Sequence, residues 1–243
     1  MLLTDRIKHY RTDAEEFDYF NVENPVLADE ERRRMQFLKR KIHFKPGSTI
    51  IDCGSGGGWI AREYLPRGVI VVSVDLADSN LRKIKQNFDL EKKGMYVVAD
   101  LYNLPFKNQV FDGGTSNDVY EHIEIPESAA AEVNRCLKKD GKFYVSVPYK
   151  ENIIYYICIH CNKPTPINAH LHSFDEESMR NIFEKSGFKI EAMYKFINKA
   201  LSLTLVSYVF CRWMPYWLWR SIDVMAGGLV RKQSRLALKM VRS

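Results

Sequence analysis

The chain has 243 residues, 46% of them hydrophobic and 27% charged, and a formal net charge of +6. That length buries one substantial core, the composition is that of a folded α/β protein, and so small a positive charge argues against a dedicated nucleic-acid binder. Five scattered cysteines, an odd number, do not form a secreted disulfide framework, and the first residues lack a long apolar stretch, so a cytoplasmic setting is expected.

The first clear element is a helix over Pro25 to Ile42, with Met35, Phe37 and Leu38 at apolar positions and Lys45-Pro46-Gly47 turning the chain out of it. Its basic runs, Arg32-Arg33-Arg34 and Lys39-Arg40-Lys41, read as a solvated face or as a contact for anionic lipid or an acidic substrate. Residues 1–47 are expected to be a helical cap and 48–243 the main domain.

Thr49-Ile50-Ile51 then reads as a buried strand that runs into Asp52-Cys53-Gly54-Ser55-Gly56-Gly57-Gly58. Glycines at alternate positions let the backbone turn sharply and approach a ligand where a Cβ would obstruct it. A dinucleotide fingerprint requires glycine where Trp59 stands. The acid two residues before Gly54 suits a ligand that carries an ammonium and no phosphates.

After a helix from Ile60 to Leu65, a second strand, Val69 to Val74, ends at Asp75, whose carboxylate can accept both hydroxyls of a ribose. A helix over Leu81 to Leu90 leads to the strand Tyr96 to Ala99. That strand ends at Asp100, which can meet an exocyclic amine while the leucines at 101 and 104 cover a ring. Phe111 to Ser116 is the fourth strand, and Pro126 to Leu137 is a further crossover helix. This alternation calls for a parallel sheet with helices on both faces.

Residues 149–173 form an insertion, followed by a helix from Asp175 to Ser186 with Gly187 as its cap, the strand Phe188 to Ile190, and a half-buried antiparallel strand over Arg235 to Arg242. Within the insertion, Cys158, Cys161, His170 and His172 have two readings. They are a structural zinc site, with two thiolates and two imidazoles completing a tetrahedron, or a reduced cysteine pair beside ordinary polar histidines.

A second insertion, 198–230, is apolar and aromatic; its apolar run is too short to span a bilayer and is interrupted by Arg212. It reads as a helical lid, or as a lipophilic substrate wall that makes peripheral membrane contact through 200–220.

The pieces IIDCGSGGG, VDLADSNL, VVADLYNLPF, VFDGGTSNDVYEHI, KKDGKFYVSVP and HSFDEESMRNIFEKSGFKI run from about residue 48 to about residue 190. In that order they resemble the class I S-adenosylmethionine-dependent methyltransferases, the broad family that includes ubiquinone and menaquinone methyltransferases. The resemblance implies a Rossmann-like seven-stranded sheet in the order 3-2-1-4-5-7-6 with the last strand antiparallel. It also implies S-adenosyl-L-methionine as cofactor and transfer of its methyl group, by in-line displacement, to a small acceptor, which the aromatic insertion marks as lipophilic.

On that resemblance, Asp75 with Leu76 takes the ribose, and Gly54, Ser55 and Gly56 give close backbone approach. Asp52 engages the methionine ammonium, Asp100 with Leu101 frames the adenine, and Ser116 and Asn117 meet the methionine moiety. His122 is the candidate base, or a residue that shapes the pocket. Tyr19, Tyr149 and His170 are further pocket candidates.

Ser116-Asn117-Asp118-Val119 stands where a base-aminating nucleic-acid enzyme would carry its signature, so no nucleic acid is expected. Two alternatives stand beside the enzyme: a non-catalytic cofactor-binding subunit of the same fold, and a nicotinamide oxidoreductase, which Trp59 disfavours. Acceptor atom and oligomeric state stay open.

Overall fold

A computed structural model describes residues 6–16, 25–89, 93–198, 201, 214–230 and 233–243. Two helices come first, α1 (Arg6–Glu16) and α2 (Pro25–Leu38). Then β1 (Thr49–Cys53), α3 (Trp59–Tyr64), β2 (Ile70–Asp75), α4 (Asp78–Phe88), β3 (Met95–Val98) and β4 (Phe111–Asn117) alternate. α5 (Pro126–Cys136) passes directly into β5 (Leu137–Pro148). A small hairpin of β6 (Tyr155–Ile157) and β7 (Pro164–Pro166) precedes α6 (Glu176–Lys185) and β8 (Phe188–Asn198), and α7 (Tyr216–Leu229) leads into β9 (Gln233–Arg242).

The seven-stranded sheet has the order β3-β2-β1-β4-β5-β9-β8. β1 to β5 run parallel, and β9 is antiparallel to both β5 and β8. With the hairpin set aside, this is the order the resemblance implies. The strand order reverses between β1 and β4, and a ligand crevice opens at the carboxyl ends of strands at such a reversal.

Each face of the sheet carries its own core. On one face Ala129, Ala130 and Val133 of α5 and Met179 and Phe183 of α6 pack on Ile51, Val72, Phe143 and Leu238. The small alanines let α5 approach closely. On the other, Phe37 of α2, Ile60 of α3 and Leu81 and Ile84 of α4 cover Ile50, Val71 and Phe196. Each such aliphatic or aromatic side chain contributes about 1.5–3 kcal/mol on burial.

α2 stops at Leu38, four residues before the expected end, because the chain tightens into three-residue turns: Arg40 N–H donates to Phe37 O and Lys41 N–H to Leu38 O. This drops Ile42, 1% exposed, into the core, where the Tyr64 hydroxyl donates to its carbonyl at 2.7 Å. β8 continues to Asn198, well past the expected Ile190, because its second half pairs with β9 and lays Phe196 flat on Phe37, with ring centroids 4.1 Å apart. Asp175 begins α6 with a capping box shared with Ser178.

Candidate functional site

The glycine loop leaves β1 at the reversal point. Gly54, with φ +69°, passes so close to Val119 that a Cβ would lie 2.4 Å from its Cγ2. A Cβ on Gly58 would meet Ile84 Cγ1 at 2.6 Å, so that glycine seats α4 against the loop. Gly56, between them, faces open space.

Two carboxylates frame the loop. Asp75, the last residue of β2, accepts the Gly56 N–H and the Ala77 N–H, each at 2.9 Å, and burial raises its pKa despite these bonds. Asp52 lies inside β1, one residue short of its end, and is 3% exposed. Burial pushes its pKa from 3.8 to about 7, assisted by the nearby Asp75, while the Thr115 hydroxyl, donating at 2.7 Å, opposes the shift. A cation placed here would turn this neutral acid into a carboxylate.

The Asp100 carboxylate accepts the Tyr102 N–H at 3.1 Å, which holds the turn carrying the buried Leu101. The Ser55 hydroxyl donates to Asp52 O, and that of Ser116 to Cys53 O. Asn117 ends β4; its Oδ1 accepts from Ser146 Oγ at 2.9 Å, and its buried Nδ2 has no partner. Asp52, Asp75, Asp100, Ser116 and Asn117 thus lie on or just beyond β1, β2, β3 and β4, along one edge of the sheet.

Beyond Asn117 the chain turns through Asp118, at φ +54°, into a three-residue helix, Tyr120–His122. Asp118 is gripped by Arg34 of α2 at 3.2 Å and Arg235 of β9 at 2.9 Å. Burial acts to raise its pKa, but the two guanidiniums prevail and hold it below the usual carboxylate range. Glu121 is 1% exposed with neither carboxyl oxygen partnered, and burial drives its pKa well up.

His122 packs edge-on to His170, with ring centroids 4.7 Å apart. Burial, aided by His170, lowers its pKa to about 4, which leaves a neutral imidazole near pH 7. The Nδ1 of His122 lies 3.3 Å from Ala169 O; a carbonyl only accepts, so Nδ1 carries the proton and Nε2 the lone pair.

Two components are not singled out by the sequence, although a helical cap is expected over residues 1–47. One is α1, which spans the crevice: Arg11 Nε donates to Leu76 O and the Tyr10 hydroxyl to His122 O, both at 3.2 Å. An open cleft of about 370 Å³ lies between α1 and the start of α4, lined by Arg11, Glu15, Ala77, Asp78, Ser79 and Arg82. The other is Glu121, hidden inside a familiar Glu-His pair.

The zinc reading of Cys158, Cys161, His170 and His172 is corrected. Among the described residues, the group of His, Cys, Asp and Glu side chains close enough to share an ion is Glu121, His122 and His170. The cysteines sit instead on the turn of the β6–β7 hairpin, Cys161 exposed. His172 spends its Nε2–H on Ile123 O at 2.8 Å, and His170 Nδ1 is bonded to Glu151.

Tyr149 directs its hydroxyl to Glu176 at 2.9 Å, at the start of α6. Tyr19 lies outside the described residues, as do Arg212 and most of the apolar run from residue 200. The part of 198–230 that is described includes α7, which buries Trp219 beneath Arg33 and exposes Trp217. Among the described residues no helix is long and apolar enough to cross a membrane.

Residues 51–145 match the family model described as "Methyltransferase domain". The chain is 26% identical over 146 residues to phosphoethanolamine N-methyltransferase 2 of Caenorhabditis elegans, a match covering 59% of this chain and 33% of that protein. It is 27% identical over 173 residues to sterol 24-C-methyltransferase erg6 of Schizosaccharomyces pombe, covering 64% of this chain and 45% of the relative. The chain thus spans less than half the length of these two curated relatives. An S-adenosylmethionine dependent methyltransferase from Mesorhizobium loti superposes with a TM-score of 0.63 at 18% identity, over 86% of this chain and 98% of that one, a likeness of fold.

Proposed function

We propose that this chain, whose residues 51–145 match a methyltransferase domain, is a class I, S-adenosylmethionine-dependent enzyme that transfers a methyl group to a small lipophilic acceptor. The observation that carries the reading is the side-chain chemistry along the crevice. A carboxylate at the end of β2 faces a glycine loop, a buried acid poised near neutrality precedes that loop, and a buried amide nitrogen lacks a partner. Ribose hydroxyls, an ammonium and a carboxylate, the polar groups of S-adenosylmethionine, fit these in turn.

Asp75 would exchange its bonds from Gly56 and Ala77 for the ribose, Asp52 would receive the ammonium, and Asn117 Nδ2 with Ser116 would meet the methionine end. Asp100 and Leu101 would hold the adenine. The bound cofactor supplies a methyl group already activated on a sulfonium, so the chain's contribution is orientation and exclusion of water. Orientation of this kind is worth roughly 7–11 kcal/mol in favourable cases. In the metal-free chain, His122 would offer its Nε2 lone pair to the acceptor proton.

The lipophilic acceptor is supported by exposed apolar side chains on two elements. Trp217 is 67% and Leu229 88% exposed on α7, and Tyr155, Tyr156 and Ile157 of β6 are exposed as well. Aromatic and aliphatic side chains beside arginines suit a bilayer boundary, so we assign these elements to peripheral contact with a membrane that presents the acceptor. One relative is named as a sterol methyltransferase.

Calorimetry with S-adenosylhomocysteine tests the cofactor assignment: saturable binding in the wild type and its loss in Asp75→Ala support it, and no heat from the wild type overturns it. Binding of the cofactor without turnover on any lipid acceptor would instead favour an accessory subunit. Sedimentation with anionic vesicles tests the surface, and a Trp217→Glu variant that pellets as well as the wild type would remove α7 from it.

A further inference from the structure

We propose that Glu121, His122 and His170 bind one divalent first-row transition-metal ion at the β4 end of the crevice. Their ligand atoms all lie within 4.8 Å of one another. A common ion about 2.1 Å from each ligand tolerates separations up to about 4.2 Å, so a side-chain adjustment of under about 1 Å closes the group.

Three independent features point to a cation. The Glu121 carboxyl is 1% exposed with both oxygens unpartnered, and burying such a group has a cost that an ion would offset. Both imidazoles are tied through Nδ1, His122 to the Ala169 carbonyl and His170 to the Glu151 carboxylate, which leaves Nε2 of each as the ligating nitrogen. This is the outer-sphere pattern by which metal-bound histidines are oriented. Finally, Asp118 together with Glu31 and Glu30 neutralises Arg34 and Arg235, so those guanidiniums do not oppose an arriving cation.

Two imidazole nitrogens and one carboxylate oxygen suit zinc, iron(II), cobalt or manganese, and leave coordination positions open. The use of those positions rests on the proposed methyl transfer; the binding does not. A hydroxyl acceptor coordinated there would lose its proton to solvent at lower pH. The O–H bond breaks, the oxygen's electron pair forms the bond to the methyl carbon, and sulfur keeps the pair of the broken S–C bond.

The test is a cobalt(II) titration of the full chain after chelator treatment, read by visible absorption and by metal analysis. One equivalent of cobalt with ligand-field bands is expected. His170→Gln and Glu121→Gln should each weaken it at least tenfold, Glu151→Gln by roughly 10- to 100-fold, and Cys158→Ser with Cys161→Ser not at all.

His170 lies on a loop, so its variant keeps the test valid should Glu121→Gln misfold by circular dichroism. No saturable cobalt at millimolar metal, wild-type affinity in His170→Gln, or loss of binding in the cysteine double variant would each overturn the site. S-adenosylhomocysteine calorimetry on the metal-free chain reads the methyltransferase assignment separately.

Discussion

At the scale of single residues, Asp52 makes a prediction with a definite sign. Its folded pKa of about 7 stands above the ordinary 3.8, chiefly through burial, so the protonated form is the one the fold prefers. The stability this contributes is fully present below about pH 4 and is lost as pH rises to about 7. A ligand ammonium needs the carboxylate, so its binding must expel a proton at any pH below 7. The dissociation constant for S-adenosylhomocysteine should therefore fall by up to tenfold per unit from about pH 5 to 7 and level off above.

Asp52→Asn should flatten that slope, and calorimetry in two buffers of different ionisation heat should register the released proton. A wild-type affinity indifferent to pH would remove Asp52 from the ammonium. Gly54 is constrained twice, by its left-handed backbone and by Val119. Gly54→Ala should cost about 1–3 kcal/mol in chemical denaturation. Adding Val119→Ala should restore part of the loss by removing the collision, and the remainder reports the backbone. Full restoration would mean that φ contributes nothing.

At the scale of elements, α1 acts as a strap across the crevice, joining Leu76 after β2 to His122 after β4. Each bond is worth about 1 kcal/mol, that of Arg11 exposed and that of Tyr10 partly buried, so neither holds the fold together. Tyr10→Phe combined with Arg11→Ala should leave the melting temperature within about 2 °C and raise the cofactor dissociation constant several-fold. A lowered melting temperature with unchanged affinity would make α1 a packing element instead.

This helix was illegible in the sequence for a physical reason. Arg-Ile-Lys-His-Tyr-Arg-Thr-Asp-Ala-Glu-Glu offers no apolar stripe wider than Ile7, Tyr10 and Ala14, and of its described side chains only Ala14 is buried. The sheet was legible because β1 and β2 are buried β-branched runs with an acid at or near the end of each. The end of β8 was not, because Glu191 and Lys195 break the apolar run while cross-strand pairing with β9 carries it on. The cysteine pair misled because spacing along the chain says nothing of the hairpin that lifts it away from His170. Glu121 was overlooked because burial without a partner is a tertiary property that no local pattern encodes.

At the scale of the whole molecule, Asp118 is where the chain closes on itself. It brings Arg34 from α2 and Arg235 from the last strand to the turn that follows β4. Neither arginine depends on Asp118 alone: Arg34 also pairs with Glu31 on its own helix, and Arg235 lies 3.7 Å from Glu30. Removing the shared anion would leave two guanidiniums, one nearly buried, with Glu31 and Glu30 alone to offset their repulsion.

Breaking a fully buried pair costs about 3–5 kcal/mol. Asp118 retains 27% exposure, which lowers the expectation for Asp118→Asn to about 2 kcal/mol. Because the loss arises from repulsion, Arg235→Ala added to Asp118→Asn should cost less than Arg235→Ala alone, a coupling readable in a double-mutant cycle of urea midpoints. Simple additivity would mean that the three groups are neighbours without being a clamp. The same turn sets the backbone of His122, so a loosened Asp118 should weaken cofactor binding along with stability, whereas removing a distant surface pair such as Arg180 with Glu184 should alter neither.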